Sequence, residues 1–287
     1  MRTAVMTDSN SGITCQEGEE LGIYVLPMPV IVDNVTYFEN KDITMEEFYA
    51  SMEAGKQITS SQPSPGDVED MWNTILSNGY DEVVYIPMSS GLSSSCHVAI
   101  SLAEEFNGKV CVADNHRISV TLRQSVLDAK KMADFGMDAK SIKAKLEELG
   151  GYSSIYIAVD TLEYLKRGGR VTPAGAAIGS ALNIKPILTI QGEKLDAYAK
   201  VRGIKKCEKK ILEAVKKDLE TRFTAIPAGK LVIGAAGTFL NKEDADNWEN
   251  EVRETFPQAK VYYNQLSLSI GCHVGPNAIG IGISEEW

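Results

Sequence analysis

The stretch Glu82-Val-Val-Tyr-Ile-Pro-Met-Ser-Ser-Gly-Leu-Ser-Ser-Ser-Cys96 decides how this chain is read. Glu82 to Pro87 is a short apolar run rich in β-branched and aromatic residues and closed by a proline, the pattern of a buried strand. Met88 to Ser93 is a glycine and serine turn, and from about Ser94 to Phe106 apolar residues recur at helical spacing. Strand, tight turn and helix in that order are the repeating unit of an α/β fold. The combination also has a chemical consequence. The unpaired N–H groups of a helix's first turn, with its dipole, favour an anion there. The hydroxyls of Ser89, Ser90, Ser93, Ser94 and Ser95 add donors, so a carboxylate or phosphate would be held with no Lys or Arg in the loop.

Working outward, the same alternation continues on both sides. Thr3 to Met6 reads as a strand leaving through Thr7-Asp8-Ser9, a polar exit of the kind that lines sites in α/β sheets, although Asp8 and Ser9 equally suit a cap. Met28 to Val32 and Val35 to Phe38 flank Asp33-Asn34 as a β-hairpin. Thr44-Met-Glu-Glu47 is a capping box that opens a helix to about Met52. Thr59-Ser-Ser-Gln-Pro-Ser-Pro65 reads as a loop, with Ser64 capping the next helix and Pro65 in its first position. A strand from Lys109 to Ala113, helices from Ser119 to Phe135 and Ala139 to Leu149, and a strand from Ser154 to Val159 follow. This half predicts a mostly parallel sheet with helices on both faces. Gly150-Gly151 marks the boundary, giving an N-terminal α/β domain over 1–152 and a C-terminal one over 153–287. In the latter, a capped helix begins at Asp160 and stops at Gly168-Gly169. Pro173 to Leu182 is a small-residue segment. Ile184 to Ile190, Glu193 to Leu195 and Tyr198 to Val201 read as strands, ending at Arg202-Gly203. A helix over Ile204 to Leu219 and another from Lys242 to Glu254, with strands Leu231 to Ala235, Lys260 to Tyr263 and Ala278 to Ile283, complete a mixed sheet with helices.

At 287 residues the chain has material for two cores, and a net charge of −10 argues against nucleic acid as the main partner, since that selects for clustered Lys and Arg. The five cysteines are odd in number and widely spaced, without a Cys-x-x-Cys pair, which points to a cytoplasmic setting and no zinc site. The N-terminus lacks the pattern of a signal peptide. No stretch approaches the roughly 20 apolar residues of a membrane span. No Gly-x-x-x-x-Gly-Lys-Ser/Thr fingerprint is present, so no nucleotide cofactor is implied.

The second chemical focus is Ser267-Leu-Ser-Ile-Gly-Cys-His-Val-Gly-Pro-Asn-Ala278. Three histidines occur, His97, His116 and His273. Gly271, Gly275 and Pro276 around the last read as a tight, conformationally specified turn. The plainer alternative is a histidine that satisfies a buried turn.

Read together, these motifs resemble the DegV family of bacterial lipid-binding proteins. The matching pieces are Thr7-Asp8-Ser9, Ser60-Ser-Gln-Pro-Ser64, Ser89-Ser-Gly-Leu-Ser93, Leu162-Glu-Tyr-Leu-Lys-Arg-Gly-Gly-Arg-Val171, Lys200-Val-Arg-Gly203 and Ser269-Ile-Gly-Cys-His-Val-Gly-Pro-Asn-Ala278, in the family's order across nearly the whole chain. The resemblance implies one long-chain fatty acid in a ligand tunnel at the domain junction. It also implies no further cofactor, no catalysis by this chain, and a separate ATP-dependent fatty acid kinase subunit that phosphorylates the presented carboxylate. Carried over by position, Ser93, Ser60, Ser61 and His273 would bind the carboxylate. Asp8, Ser9, Ser90, Gly91 and Gly271 would support them, and Arg202 would dock the kinase. Ser60 stands where the family has threonine, Ser94-Ser95-Cys96 replaces Gly-Thr-Tyr, and Asp114-Asn115-His116 replaces Asp-Ser. The lipid ligand leaves transient membrane contact open.

Two other classes use the same residues. Ser93, His273 and Asp8 could form a serine hydrolase's nucleophile, base and orienter, yet the Gly-x-Ser-x-Gly elbow is missing. A phosphosugar-binding domain could use the same helix N-terminus, yet such sites usually enlist Lys or Arg.

Overall fold

Two units divide the chain, Met1–Gly151 and Tyr152–Trp287; the computed structural model describes residues 2–39, 41–177, 184–191, 194–227 and 229–287. In the first unit the order is β1 (Thr3–Asp8), α1 (Cys15–Leu21), β2 (Tyr24–Leu26), β3 (Pro29–Val32), β4 (Val35–Phe38), α2 (Met45–Glu53), β5 (Ile58–Ser60), α3 (Pro65–Ser77), β6 (Glu82–Ile86), α4 (Ser95–Ala103), β7 (Val110–Val112), α5 (Ser119–Asp134) and α6 (Ala139–Leu149). A four-stranded parallel sheet runs β2-β1-β6-β7. Its register sets Ala4 beside Val83 and Met6 beside Tyr85, and Val83 beside Val110. These side chains share one face and pack with Trp72 and Ile75 of α3 and with Cys96 and Ala99 of α4. Alternation sends the neighbouring Val5 and Val84 to the other face, where α5 and α6 lie against the same strands. A parallel sheet buried on both faces follows, as the strand and helix alternation predicts.

A second, antiparallel sheet runs β4-β3-β5. Asp33 and Asn34 turn its hairpin at φ 48° and 67°, as the sequence leads one to expect. The third strand is a correction, because Ile58–Ser60 pairs with β3 where a loop is expected from Thr59 onward; three residues are too few to show a period. Helix α1 and strand β2 also go unannounced. The residue α1 buries is Gly18, where a Cβ would fall 2.7 Å from Ile23 O and Val25 Cγ2, so no apolar stripe marks it. The caps are as read: Thr44 and Glu47 form the capping box of α2, and Ser64 caps α3 with Pro65 in its first turn.

The second unit continues with β8 (Ser153–Ala158), α7 (Glu163–Gly168), α8 (Pro173–Ala176), β9 (Ile184–Ile190), β10 (Asp196–Arg202), α9 (Ile204–Thr221), β11 (Leu231–Gly237), α10 (Lys242–Thr255), β12 (Lys260–Gln265), α11 (Leu268–Val274) and β13 (Ile279–Glu285). Its mixed six-stranded sheet has the order β10-β9-β8-β13-β11-β12, antiparallel except between β11 and β12. Tyr156, Ile233, Ile281 and Ile283 pack against Ile211 and Val215 of α9 and Trp248 of α10, and the Trp248 indole donates to Gly280 O at 2.9 Å. Helix α7 starts at Glu163 instead of Asp160, whose carboxylate is paired with Lys185 and accepts from Asn277 Nδ2 at 3.1 Å. Of the small-residue segment, Pro173–Ala176 is helical and 178–183 lie outside the described residues. Of the expected strand Glu193 to Leu195, residue 193 lies outside them, and Leu195 forms only a bridge to Val171. Among the described residues no helix is long and apolar enough to cross a membrane.

Candidate functional site

In the first unit the site is built from the carboxyl ends of β1 and β6, neighbours in a parallel sheet. Asp8 is fully buried. Its Oδ2 accepts from Met88 N at 2.9 Å and its Oδ1 from Asn10 N at 2.9 Å, so one carboxylate fixes the loop after β6 to the turn after β1. Burial pushes its pKa up to about 6, against the two backbone hydrogen bonds that favour the charged form. Ser9 Oγ accepts from Met28 N at 3.0 Å, and Pro29 O accepts from Ser61 N at 3.2 Å. Through Met28 and Pro29 the turn at Asp8-Ser9 is tied to the serines that follow β5. Ser60 is half-buried at the end of β5, and Ser61 is exposed with its hydroxyl donating to Gln62 O at 3.1 Å.

The loop from Met88 to Ser95 folds on itself. Ser89 N donates to Arg117 O at 2.9 Å, and Ser89 O accepts from Leu92 N at 3.1 Å and Ser93 N at 3.2 Å. Gly91 N donates to Ser89 Oγ at 3.2 Å and Ser90 N to Asp114 Oδ1 at 3.3 Å. Ser93 Oγ accepts from Ser95 N at 3.2 Å. A hydroxyl that accepts in this way keeps its own hydrogen to donate elsewhere. Helix α4 thus begins at Ser95, one residue later than its spacing suggests, and Ser94 makes no capping bond. Cys96 is fully buried, and burial first, with the nearby carboxylates, pushes its thiol up to about 12, so it stays an inert core residue.

In the second unit His273 is not in a tight turn. It occupies the last turn of α11, which Ser267 caps by accepting from Ile270 N at 3.3 Å. The turn comes after it, at Gly275 with φ 73°. Two glycines make room around the helix. A Cβ on Gly168 would stand 2.2 Å from His273 Nδ1, and one on Gly275 would stand 2.6 Å from the Tyr164 ring. The imidazole therefore rests directly on the end of α7. Burial, and then the charge of Arg170, hold His273 down to about 4, so it is neutral at pH 7. Gly271 is buried inside α11 and its carbonyl accepts from Gly275 N at 2.9 Å. Thr238, which the sequence does not single out, clamps the following turn: its Oγ1 donates to Gly275 O at 3.1 Å and accepts from Ala278 N at 2.9 Å.

Asp8, Ser9, Ser90, Gly91 and Ser93 are thus joined through hydrogen bonds of one unit, and His273 and Gly271 belong to a second construction. Asp8 is engaged by backbone donors of its own unit, which makes it a loop anchor and not the orienter of a base. His97 is exposed on α4, and His116 Nδ1 lies 3.6 Å from Asp114 Oδ1. Arg202 ends β10 exposed. Among the described residues no cluster of His, Cys, Asp and Glu could hold a metal ion.

Similar proteins agree with this architecture. The family model described as "Uncharacterised protein, DegV family" matches residues 2–286. A DegV domain-containing protein of Listeria monocytogenes is 31% identical over 282 residues, covering 98% of this chain and 97% of its own. One from Deinococcus radiodurans is 30% identical over 284 residues, covering 99% and 98%. A structure described as fatty acid binding of a DegV family protein from Thermus thermophilus superposes with a TM-score of 0.88 at 29% identity, over 99% of this chain and 100% of that one. That of DegV, a fatty acid binding protein from Bacillus subtilis, has a TM-score of 0.85 at 27% identity over 100% of both chains.

Proposed function

The chain belongs to the DegV family, and from that premise we propose that it binds a long-chain fatty acid whose carboxylate is taken by Ser93, with Ser60, Ser61 and His273 as further donors. The observation that carries this reading is the Ser93 hydroxyl, oriented by the Ser95 amide at 3.2 Å, at the start of a helix whose cap residue makes no side-chain bond. Burying a free carboxylate is costly unless it is hydrogen-bonded, and bonds to an ionised acceptor are the strong kind. The hydroxyls and the neutral imidazole of His273 supply them without a charge. Each methylene of the tail adds roughly 0.8 kcal/mol once out of water, so the acyl chain supplies most of the affinity. The two structural neighbours described as fatty acid-binding support the ligand class.

Neutral donors leave a carboxylate nucleophilic, where an ion pair would hold its electrons. On this ground the chain is a carrier without catalysis of its own, presenting the carboxylate to a separate ATP-dependent kinase subunit that docks at the exposed Arg202 and converts it to an acyl phosphate. Lipid extraction and mass spectrometry of the purified protein should yield a long-chain fatty acid. Ser93→Ala should lower palmitate affinity roughly 5- to 30-fold, with a small fall in melting temperature because Ser95 N loses its acceptor. Protein that is repeatedly empty and binds neither palmitate nor oleate refutes the reading.

A further inference from the structure

We infer that Arg117 is a positioning residue for the carboxylate site: it fixes the loop that holds the serines and so sets where the Ser93 hydroxyl points; the inference rests on the fatty acid reading above. The loop between β7 and α5 spans residues 113–118 and holds the serine loop at two points. Arg117 O accepts from Ser89 N at 2.9 Å, and Asp114 Oδ1 accepts from Ser90 N at 3.3 Å. Ser89 O in turn accepts from Ser93 N at 3.2 Å. One residue, Ser89, therefore stands between the Arg117 carbonyl and the backbone of Ser93.

A buried guanidinium fixes this supporting loop. Arg117 is 2% exposed. Its Nη1 donates to Ser125 Oγ at 3.0 Å and its Nη2 to Leu149 O at 2.5 Å, so one side chain clasps α5 and the end of α6. A planar fork of N–H donors can reach two helices at once, and those bonds offset the cost of taking the cation out of water. Arg117 N donates to Asn115 Oδ1 at 3.2 Å, and Asn115 O stands 2.6 Å from where a Cβ on Gly150 would be. The Asp114 end is tied to α6 as well, since Asp114 N donates to Glu147 Oε1 at 3.2 Å. Between these anchors the backbone is strained. His116 has φ 56° and Ser119 φ 55°, in the left-handed region that residues with a Cβ rarely adopt. Such residues persist only where the surroundings over-determine them. The arginine supplies that determination from inside the unit, and Ser89 and Ser90 receive it.

The test titrates delipidated protein with palmitate and with 1-hexadecanol, which has the same length of tail and an uncharged head, using wild type, Arg117→Gln, Arg117→Lys, Ser93→Ala and the double variant Ser93→Ala/Arg117→Gln. Arg117→Gln should lose roughly 5- to 30-fold in palmitate affinity while hexadecanol affinity changes less than about threefold. Arg117→Lys, which keeps the charge but not the fork, should lose roughly 2- to 5-fold for palmitate. In the Ser93→Ala background, Arg117→Gln should cost less than about twofold more, because the group it positions is gone. Equal losses for both ligands, a palmitate loss undiminished in the Ser93→Ala background, or no palmitate loss at all would show an arginine that only supports the fold, and each overturns the proposal. If Arg117→Gln does not fold, Ser125→Ala, which removes one acceptor of the guanidinium, is read by the same criteria with a palmitate loss of roughly 2- to 5-fold. Failure of wild type to bind palmitate at all refutes the fatty acid reading, whereas a palmitate affinity that Arg117 does not move refutes only this one.

Discussion

Asp8, buried in the first unit, and His273, largely buried in the second, are both driven by burial toward their neutral forms: up to about 6 for the carboxyl and down to about 4 for the imidazole. What holds each of them differs. Asp8 is held by direction, since two backbone amides converge on its oxygens at 2.9 Å. His273 is held by shape, since its ring lies where a side chain on Gly168 would have to be. The first arrangement tolerates small changes of volume and depends on an acceptor being present. The second tolerates loss of charge but not one added carbon.

The sharpest way to break this contrast is Gly168→Ala. In a helix that exchange ordinarily stabilises by roughly 1 kcal/mol, and the φ of Gly168 is not among the left-handed ones. With the new carbon 2.2 Å from His273 Nδ1 and 2.7 Å from Cε1, either the ring leaves or α7 shifts. We expect a net destabilisation of roughly 3–4 kcal/mol in urea unfolding, with palmitate affinity falling as well. A variant that melts above wild type would show that His273 is not seated on Gly168.

The pH dependence should divide the two units by sign. Asp8 has a folded pKa above its unfolded value. Its contribution to stability is present in full below about 3.8 and is lost as pH rises through about 6. His273 has a folded pKa below its unfolded value, so its contribution is present above about 6.5 and is lost as pH falls to about 4. Compared with wild type at pH 7 and pH 4, the relative stability of Asp8→Asn should fall by about 2–3 kcal/mol on acidification, and that of His273→Asn should rise by about 2–3 kcal/mol. Paired urea midpoints at the two pH values measure this. Shifts of the same sign in both variants would remove the distinction.

How much of this could be read from residues alone follows the same divide. The strand, serine turn and helix from Glu82 onward, the Asp33-Asn34 hairpin and the caps at Thr44 and Ser64 are local signals, and local signals survive into the structure. Asp8 and Ser9 are legible as a polar strand exit, though which amides they hold depends on β1 and β6 being neighbours. Short elements escape: β5 has three residues and α1 buries a glycine. His273 looks like part of a turn because Gly271 and Gly275 bracket it, yet Gly271 is inside α11 and only Gly275 leaves the helical region. The seat on Gly168 and the clamp by Thr238 join residues far apart in sequence, and no periodicity encodes them.

The smallest expected effect asks whether the two kinds of support act on one anion. Ser93→Ala removes a donor held by an amide, and His273→Ala removes one held by packing; each should cost roughly 1–2 kcal/mol in palmitate binding. If both donate to the same carboxylate, the loss of one changes what the other is worth. The double variant should then depart from the sum by about 1 kcal/mol, whereas independent groups add to within roughly 0.3–0.5 kcal/mol. Calorimetric titration of the four proteins resolves that difference. Coupling would mean that the directed donor and the shape-held donor serve a single head group. Additivity would mean that the two groups act independently, and that His273 does not share the carboxylate that Ser93 takes.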